Sequence, residues 1–363
     1  MGQYEVLEDV CTSAELQAER AVKLGRVQAM LAERGIDAVL IMRHENIAWF
    51  TAGKAEVRVG LLRETGTAGL LVTRDRRVFY LTTNNEAARL KDEEFGELGY
   101  EAVVQPWYAA DQEAAIRSVV GVGTIACDAP NGTMQVVSLN RLREELTAGE
   151  ILRYRWLGKR VAEAAAEVLL AMEPGVSERT LQAMLGERLI RQGILPSVYL
   201  DAFDDRIFKY RHAVPRDGVL KRFAMLGFCA RRWGLSTSMT RFIHFGAMAQ
   251  ELEKKFEAVA EVNAALMSAT REGTTAGELF EVAKKTFAAT GYAGEELLHH
   301  QGGATGYLER EWVARPGGAE RVGKAQAFAW NPNLQGAKIE DTVLLVDGKL
   351  EVLTAGVEGI LMR

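Results

Sequence analysis

The side chains able to do chemistry gather in a few short stretches. His212 lies in Lys209-Tyr-Arg-His-Ala-Val-Pro215, and His299 and His300 open His299-His-Gln-Gly-Gly-Ala-Thr-Gly306. Arg241 ends Gly234-Leu-Ser-Thr-Ser-Met-Thr240-Arg241, and Glu340 and Asp341 lie in Gly336-Ala-Lys-Ile-Glu340-Asp341-Thr. An imidazole titrates near pH ~6.5 and moves protons at neutral pH. A carboxylate such as Glu340 can hold a cation, and a guanidinium such as Arg241 can meet a carboxylate. Each also has a structural alternative: His212 as a loop histidine bound to solvent, Glu340 as a buried carboxylate paired with Lys338 or Arg241. Cys229 is two residues from Gly227, on the same face of a strand. It reads as a nucleophile or, more commonly for a free thiol, as simply buried.

These stretches, together with Trp330-Asn-Pro-Asn, resemble the ligand-bearing segments of the creatinase/prolidase/aminopeptidase P superfamily, the pita-bread fold. The pattern there is an Asp, a second Asp just before Thr-Arg, then Gly-His-Gly-x-Gly, Glu-Pro and Glu-Asp. On this chain the resemblance places the five metal-ligand positions at Gly227, Ser238, Gly303, Asn331 and Glu340, and only Glu340 keeps a ligand. A dinuclear hydrolase centre needs bridging carboxylates and an imidazole to balance two dications around a shared hydroxide. Gly227 has no side chain to offer, Ser238 is a poor ligand for hard dications, and one carboxylate cannot hold two metals. The expectation is therefore no metal and no cofactor. Exchanging three carboxylates for neutral residues also removes the repulsion they would feel without metal, and two glycines enlarge the pocket.

The same resemblance supplies the candidate site. His212 matches a substrate-side histidine and is expected as the catalytic acid/base, with Glu340 as the second catalytic group. His299 lies four residues before Gly303, where the family often has another histidine. Glu311 matches the Glu of a His-Glu pair whose His is replaced by Arg310. His299, Glu311, Arg241, Ser238 and Asn331 form the expected substrate-binding set.

Two domains must position these residues. Thr12-x-x-Glu15 is a capping box opening a helix that runs to Leu31, and Gly35 closes it. Strands follow at Asp37–Met42, Ala68–Val72, Arg77–Leu81, Glu101–Val104 and Gly123–Asp128. With the intervening Asn46-Ile-Ala-Trp-Phe-Thr-Ala-Gly53, this order resembles the creatinase/prolidase N-terminal domain, an α/β layer over a mostly parallel sheet. A second capping box, Thr147-x-x-Glu150, marks the junction, so the domains are expected at 1–148 and 149–363. Beyond it, helices start at Ile151, Ser177, Met248 and Thr275, and strands at Val198–Ala202, Ala224–Cys229 and Leu235–Phe242 are joined by a hairpin through Arg231-Arg-Trp-Gly. Helices over an antiparallel sheet fit the α+β pita-bread domain.

Gly121-Val-Gly123-Thr-Ile-Ala126 has the glycine spacing of a dinucleotide loop. No strand precedes it and a strand follows it, whereas phosphate binding needs a helix N-terminus there.

The chain of 363 residues is 48% hydrophobic and 26% charged with net charge −5. This describes a globular chain and gives no basic stripe for nucleic acid. Three scattered cysteines argue against a disulfide framework and fit a reducing cytoplasm. Met1–Asp9 has no signal-peptide character, and no apolar run is long enough to span a membrane. The resemblance implies a homodimer, with Asn46–Phe50 and Arg58–Arg63 as contact segments. Three functions are in play. The first is a metal-independent hydrolase or lyase of a small nitrogenous compound, for which creatinase sets the family precedent with a histidine acid/base and carboxylates gripping a guanidinium. The others are a non-catalytic binding protein and an Xaa-Pro metallopeptidase.

Overall fold

The structure, a computed structural model, describes residues 10–356 and 359–363. The signal-peptide reading of residues 1–9 lies outside the described residues. The chain divides after Arg143 into two compact units, Cys11–Arg143 and Glu144–Arg363.

In the first unit the Thr12/Glu15 capping box is formed as expected and starts a helix, Ser13–Arg34, three residues longer than the periodicity indicates. Gly35, at φ 66°, closes it. Six strands follow: β1 (Ala38–Arg43), β2 (Thr65–Thr73), β3 (Val78–Thr83), β4 (Glu101–Gln105), β5 (Ile125–Cys127) and β6 (Gln135–Val136). They form one sheet in the order β4-β3-β2-β1-β5-β6. β1–β5, β3–β4 and β5–β6 pair parallel, in keeping with a mostly parallel sheet. β2 is antiparallel to β1 and to β3; for β3 the reason is the tight turn closed by Thr73 N–H to Arg77 O, which makes a hairpin that cannot place its strands parallel. Gly121 ends the helix Gln112–Val120 by donating to Arg117 O, so the glycine pair is a helix stop, not a phosphate cradle. His44–Phe50 is a helix whose residues from Glu45 to Phe50 are all buried. That corrects the expectation of Asn46–Phe50 as a contact segment: its Ile, Trp and Phe fill the unit's own core. In the second segment Val59, Leu61 and Leu62 are exposed, while Arg58 is buried against Glu56.

The second unit opens with the Thr147/Glu150 capping box and the helix Ala148–Leu170. Its apolar face, Tyr154, Leu157, Val161, Ala165 and Val168, is buried at helical spacing. Ser177 caps the helix Glu178–Ile190, and helices Gln250–Ala269 and Ala276–Ala289 follow later in the chain. The strands are β7 (Leu195–Tyr199), β8 (Ala202–Phe203), β9 (Phe223–Arg232), β10 (Leu235–His244), β11 (Gly302–Thr305), β12 (Trp312–Val313), β13 (Ala325–Trp330), β14 (Asn333–Leu334), β15 (Ala337–Lys338), β16 (Asp341–Val346), β17 (Lys349–Val352) and β18 (Ile360–Met362). One sheet runs β18-β10-β9-β7 with β8 also on β9, a second runs β12-β11-β13-β16-β17, and β14 pairs with β15.

Two features of this unit place the site. The β9–β10 hairpin is in register from Phe223↔His244 to Arg232↔Leu235 and turns at Trp233-Gly234, both at positive φ. Every residue of β10 is buried, so its Ser236, Ser238, Thr240 and Arg241 must find partners inside. The second feature is an antiparallel bridge, Thr240 N–H to Glu340 O at 3.1 Å, which stitches β10 to the residue preceding β16. A core of Val259, Val262, Leu266, Leu279, Phe280, Phe287, Phe328 and Trp330 packs the two later helices on the β13 sheet. Among the described residues no helix is long and apolar enough to cross a membrane.

Candidate active site

Glu340 is the anchor, and it is 4% exposed. Its Oε2 accepts from Thr240 Oγ1 at 2.7 Å and lies 2.6 Å from Lys338 Nζ. Its Oε1 accepts from Arg310 Nη2 at 3.1 Å. Burial alone would raise this carboxyl, but the Lys338 ammonium and the Arg310 guanidinium override it and hold it at about 2. Lys338 reaches it because residues two apart on an extended segment share a face. Arg310 comes from the turn before β12 and is fixed by donating from Nη1 to Glu309 O at 2.6 Å and to Ser238 Oγ at 3.2 Å. Its Nε is buried with no hydrogen-bond partner.

Three imidazoles lie on the other side. His299 Nε2 is 2.7 Å from His212 Nε2, the rings meeting edge to face. His299 stacks on His300 with centroids 4.4 Å apart. His299 Nδ1 lies 2.5 Å from His300 O and 2.9 Å from Asn333 Nδ2. A carbonyl only accepts, so Nδ1 must carry the proton, while the Asn333 amide has Asn331 O as an alternative acceptor. In the neutral His299 ring Nε2 is then the acceptor. His212 must donate from Nε2, which leaves His212 Nδ1 as its basic atom. Arg211 holds this arrangement from behind: Nη1 donates to Asn333 Oδ1 at 2.6 Å, and Nη2 is paired with Glu295. Desolvation, with the charge of Lys338, pushes His212 down. Desolvation and the facing His212 push His299 down to about 4; desolvation and Arg310 push His300 down to about 3. All three are neutral at pH 7.

The other expected site residues divide. Ser238 joins the cluster through Arg310 and through Cys229 Sγ, 3.2 Å from its Oγ. Arg241 does not face the cluster: it donates to Thr240 O, Glu340 O and Thr354 O, and pairs with Asp341 at 2.6 Å. Of the two partners considered for Glu340, Lys338 takes the carboxylate and Arg241 only its carbonyl. Glu311 turns to its own chain, accepting from Tyr307 N–H at 3.0 Å. Asn331 is 2% exposed, bonds Gln301 O through its N–H, and has a buried Oδ1 without a partner. Burial pushes the Cys229 thiol up to about 12, which suits the buried-thiol reading.

Two residues central to this geometry are not in the site expected from sequence. Arg310 enters there only as the replacement of a histidine, and Lys338 only as a possible partner of Glu340. The sequence signal was partial: Lys338 stands two residues from the one surviving carboxylate, whereas Arg310 is thirty residues away and meets it only in the fold.

These residues do not fit a dinuclear metal centre. Both oxygens of the only ligand-position carboxylate are engaged by cations. A Cβ on Gly303 would meet Trp312 O at 2.0 Å, so the strand pairing has closed over the histidine position. On Gly227 a Cβ would sit 3.2 Å from both Leu200 O and Thr240 Oγ1. Among the described residues no three His, Cys, Asp or Glu side chains converge to hold a metal ion.

The two units and the segments that meet in the second define a pita-bread protein of the creatinase/prolidase class. The sequence profile of metallopeptidase family M24 matches residues 153–347, more than half of the chain, and that of the creatinase/prolidase N-terminal domain matches residues 23–155. The chain belongs to family M24, a family of hydrolases. No curated protein matches it by sequence. Dipeptidase PepE from Mycobacterium ulcerans superposes with a TM-score of 0.78 at 18% identity, over 95% of this chain and 98% of its own. A dipeptidase from Pyrococcus horikoshii OT3 gives 0.77 at 22% identity, over 94% and 100%. The N-terminal domain of FACT complex subunit SPT16 from Cicer arietinum (chickpea) gives 0.66 at 14%, over 96% and 97%. At these identities the likeness establishes the fold.

Proposed function

We propose that the protein is a metal-independent hydrolase of a small nitrogenous compound, breaking a C–N bond with His212 as general base. The observation that supports this reading best is the His212–His299 pair. A neutral imidazole with a free Nδ1 is oriented by a second imidazole and sits beside two fixed cations. His212 Nδ1 takes a proton from water as the water oxygen bonds to the amide or amidine carbon. His299 Nε2 accepts the hydrogen bond from the imidazolium so formed. The negative charge developing on the substrate is met by Lys338 and Arg310, which supply the electrostatic stabilisation that metal ions supply elsewhere in the family. As the C–N bond breaks, His212 returns the proton to the leaving nitrogen, and no net proton is consumed. Glu340 acts by fixing the two cations; a substrate cation, which it was expected to grip, would face both of them.

The test is a screen of guanidino, amide and N-acyl amino compounds alongside Xaa-Pro dipeptides. With a substrate in hand, His212→Ala should lose about 10²-fold or more, as expected of a general acid/base, and chelators should leave the wild type unchanged. Full activity in His212→Ala would move the role to His299. A second reading is a non-catalytic binding protein, for which the motive is the loss of four of the five ligand positions. It gains if no compound turns over but one raises the melting temperature. The proposal also takes the protein to be a cytoplasmic homodimer, supported by the odd number and wide spacing of its cysteines and by the exposed Val59, Leu61 and Leu62. Light scattering at micromolar concentration tests the dimer.

A further inference from the structure

We infer that a cleft in the second unit, walled by the helix Asp205–Lys209 and the first turn of the helix Gln250–Ala269, is a second ligand site that takes a small aromatic amine. The inference goes beyond the proposed function and does not rest on it: none of the residues assigned to the candidate active site lines this cleft.

The cleft has a volume of about 420 Å³, within the usual range for a small-molecule site. Its walls are apolar: Phe208 and Phe223, with ring centroids 5.8 Å apart, and Met248 and Leu252. Phe208 is 41% exposed, so a guest ring laid on it takes apolar surface out of water and packs as aromatic pairs do. His244 also lines the cleft, 5.5 Å from the Phe223 ring. Its Nδ1 is 2.9 Å from Gly246 O. A carbonyl only accepts, so Nδ1 carries the proton and the neutral ring offers Nε2 as an acceptor. Nε2 has no hydrogen-bond partner among the described residues.

The charged lining differs in what it already holds. Asp204 accepts from the N–H groups of Lys221, Arg222 and Phe223. Arg222 donates to Phe245 O and Ala247 O, and Lys255 donates to Gln335 O. The side chains of Asp205 and Glu251 line the cleft with no hydrogen bond or ion pair among the described residues. Two whole carboxylates and one imidazole nitrogen are thus left to a ligand. An ammonium answers them: its three N–H donors meet acceptors, and its charge matches the carboxylates.

The cleft also backs onto the candidate active site. A Cβ on Gly336 would meet Phe208 Cδ1 at 2.6 Å and Leu252 Cδ1 at 3.5 Å, so this turn is seated on the cleft wall. The β14–β15 pair on either side of it carries Asn333, bonded to His299, and Lys338, paired with Glu340. A ligand resting on Phe208 and Leu252 therefore braces the turn that holds two groups of the site.

The experiment is a titration of the full chain, followed by calorimetry and thermal shift, with three probes that share one ring: 2-phenylethylamine, 2-phenylethanol and 3-phenylpropionate. The amine should bind about tenfold or more tightly than the alcohol, the usual range for a hydrogen bond to a charged group. The carboxylate, drawn only by Arg222 and Lys255, should bind more weakly than the amine. Asp205→Asn combined with Glu251→Gln should bring the amine down to the affinity of the alcohol and leave the alcohol unchanged, which separates loss of charge from loss of fold. His212→Ala should bind the amine as the wild type does, so this site and the catalytic reading fail separately. Amide hydrogen exchange at residues 335–338 should slow when the amine is bound. Binding of the alcohol or the carboxylate as tight as that of the amine overturns the inference. So does an unchanged preference in the double variant, loss of amine binding in His212→Ala, unchanged exchange at residues 335–338, or no binding of the amine at millimolar concentration.

Discussion

His212 and His299 face each other through Nε2 atoms 2.7 Å apart. While both rings are neutral only one proton fits between those atoms. The carbonyl of His300 decides which ring supplies it, by fixing the proton of His299 on Nδ1. The pair therefore has a direction, from His212 to His299, and its basic end points away from His299.

The first prediction concerns pH and rate. The charged form of His212 is disfavoured by burial and by Lys338, so its pKa lies below the ordinary imidazole value of 6.5. Once a substrate is known, the acid limb of kcat/KM should fall below pH 6.5, with the rate flat above it. Lys338→Met removes that repulsion and should move the limb upward. A limb above pH 7 in the wild type would contradict the role of His212.

The second concerns pH and stability. For His299 and His300, held down at about 4 and about 3, the unfolded chain binds protons first as pH falls. Stability is then complete above about pH 6.5 and is lost progressively as pH falls through the folded values. Glu340, held at about 2, adds a further loss below its ordinary value of 4.5. Denaturant midpoints should be flat from pH 7 to 8 and decline steadily from pH 6 to 4. A midpoint that rises on acidification through this window would contradict the burial of neutral imidazoles.

The third concerns the Lys338–Glu340–Arg310 cluster. Glu340→Gln leaves two neighbouring buried cations without their carboxylate and should cost roughly 3–5 kcal/mol, as for breaking a buried ion pair. Adding Lys338→Met should recover part of the loss, because the remaining single charge has fewer like neighbours. A double-mutant cycle by urea denaturation reads this directly; additivity would mean the groups do not interact.

Much of this was legible in the sequence. The capping boxes at Thr12/Glu15, Thr147/Glu150 and Thr275/Glu278 and the hairpin at Trp233-Gly234 are local, and local hydrogen bonding determines them. The family segments placed Glu340, Ser238, His212 and His299 in one unit before any geometry was known. What the sequence could not show was direction. Arg241 and Arg310 are both arginines beside the site, but one is consumed by carbonyls and Asp341 while the other turns inward to Glu340. Glu311 likewise turns to the Tyr307 backbone. The β2–β3 pair around the Thr-Arg-Asp-Arg turn was legible because a tight turn is local; the antiparallel pairing of β2 with β1 was not, since the two strands are far apart in sequence. The burial of Asn46–Phe50 was missed because an apolar run reads equally as core or interface.

The fourth prediction concerns restoration. Gly303→His should not rebuild a metal centre, since its Cβ would meet Trp312 O at 2.0 Å. The expected result is a lower melting temperature with no gain in melting temperature on adding Mn2+ or Zn2+. A metal-dependent stabilisation of this variant would show that the strand opens to admit the ligand.

The central claim is that Lys338 and Arg310 stand where the family holds metal ions. Elemental analysis of the purified full chain after mild dialysis tests it most directly. Mn, Zn, Co and Fe should each be well below one per chain, unchanged in Glu340→Gln. One or more of these metals per chain, lost in Glu340→Gln, would contradict the account and return the protein to the metallopeptidases.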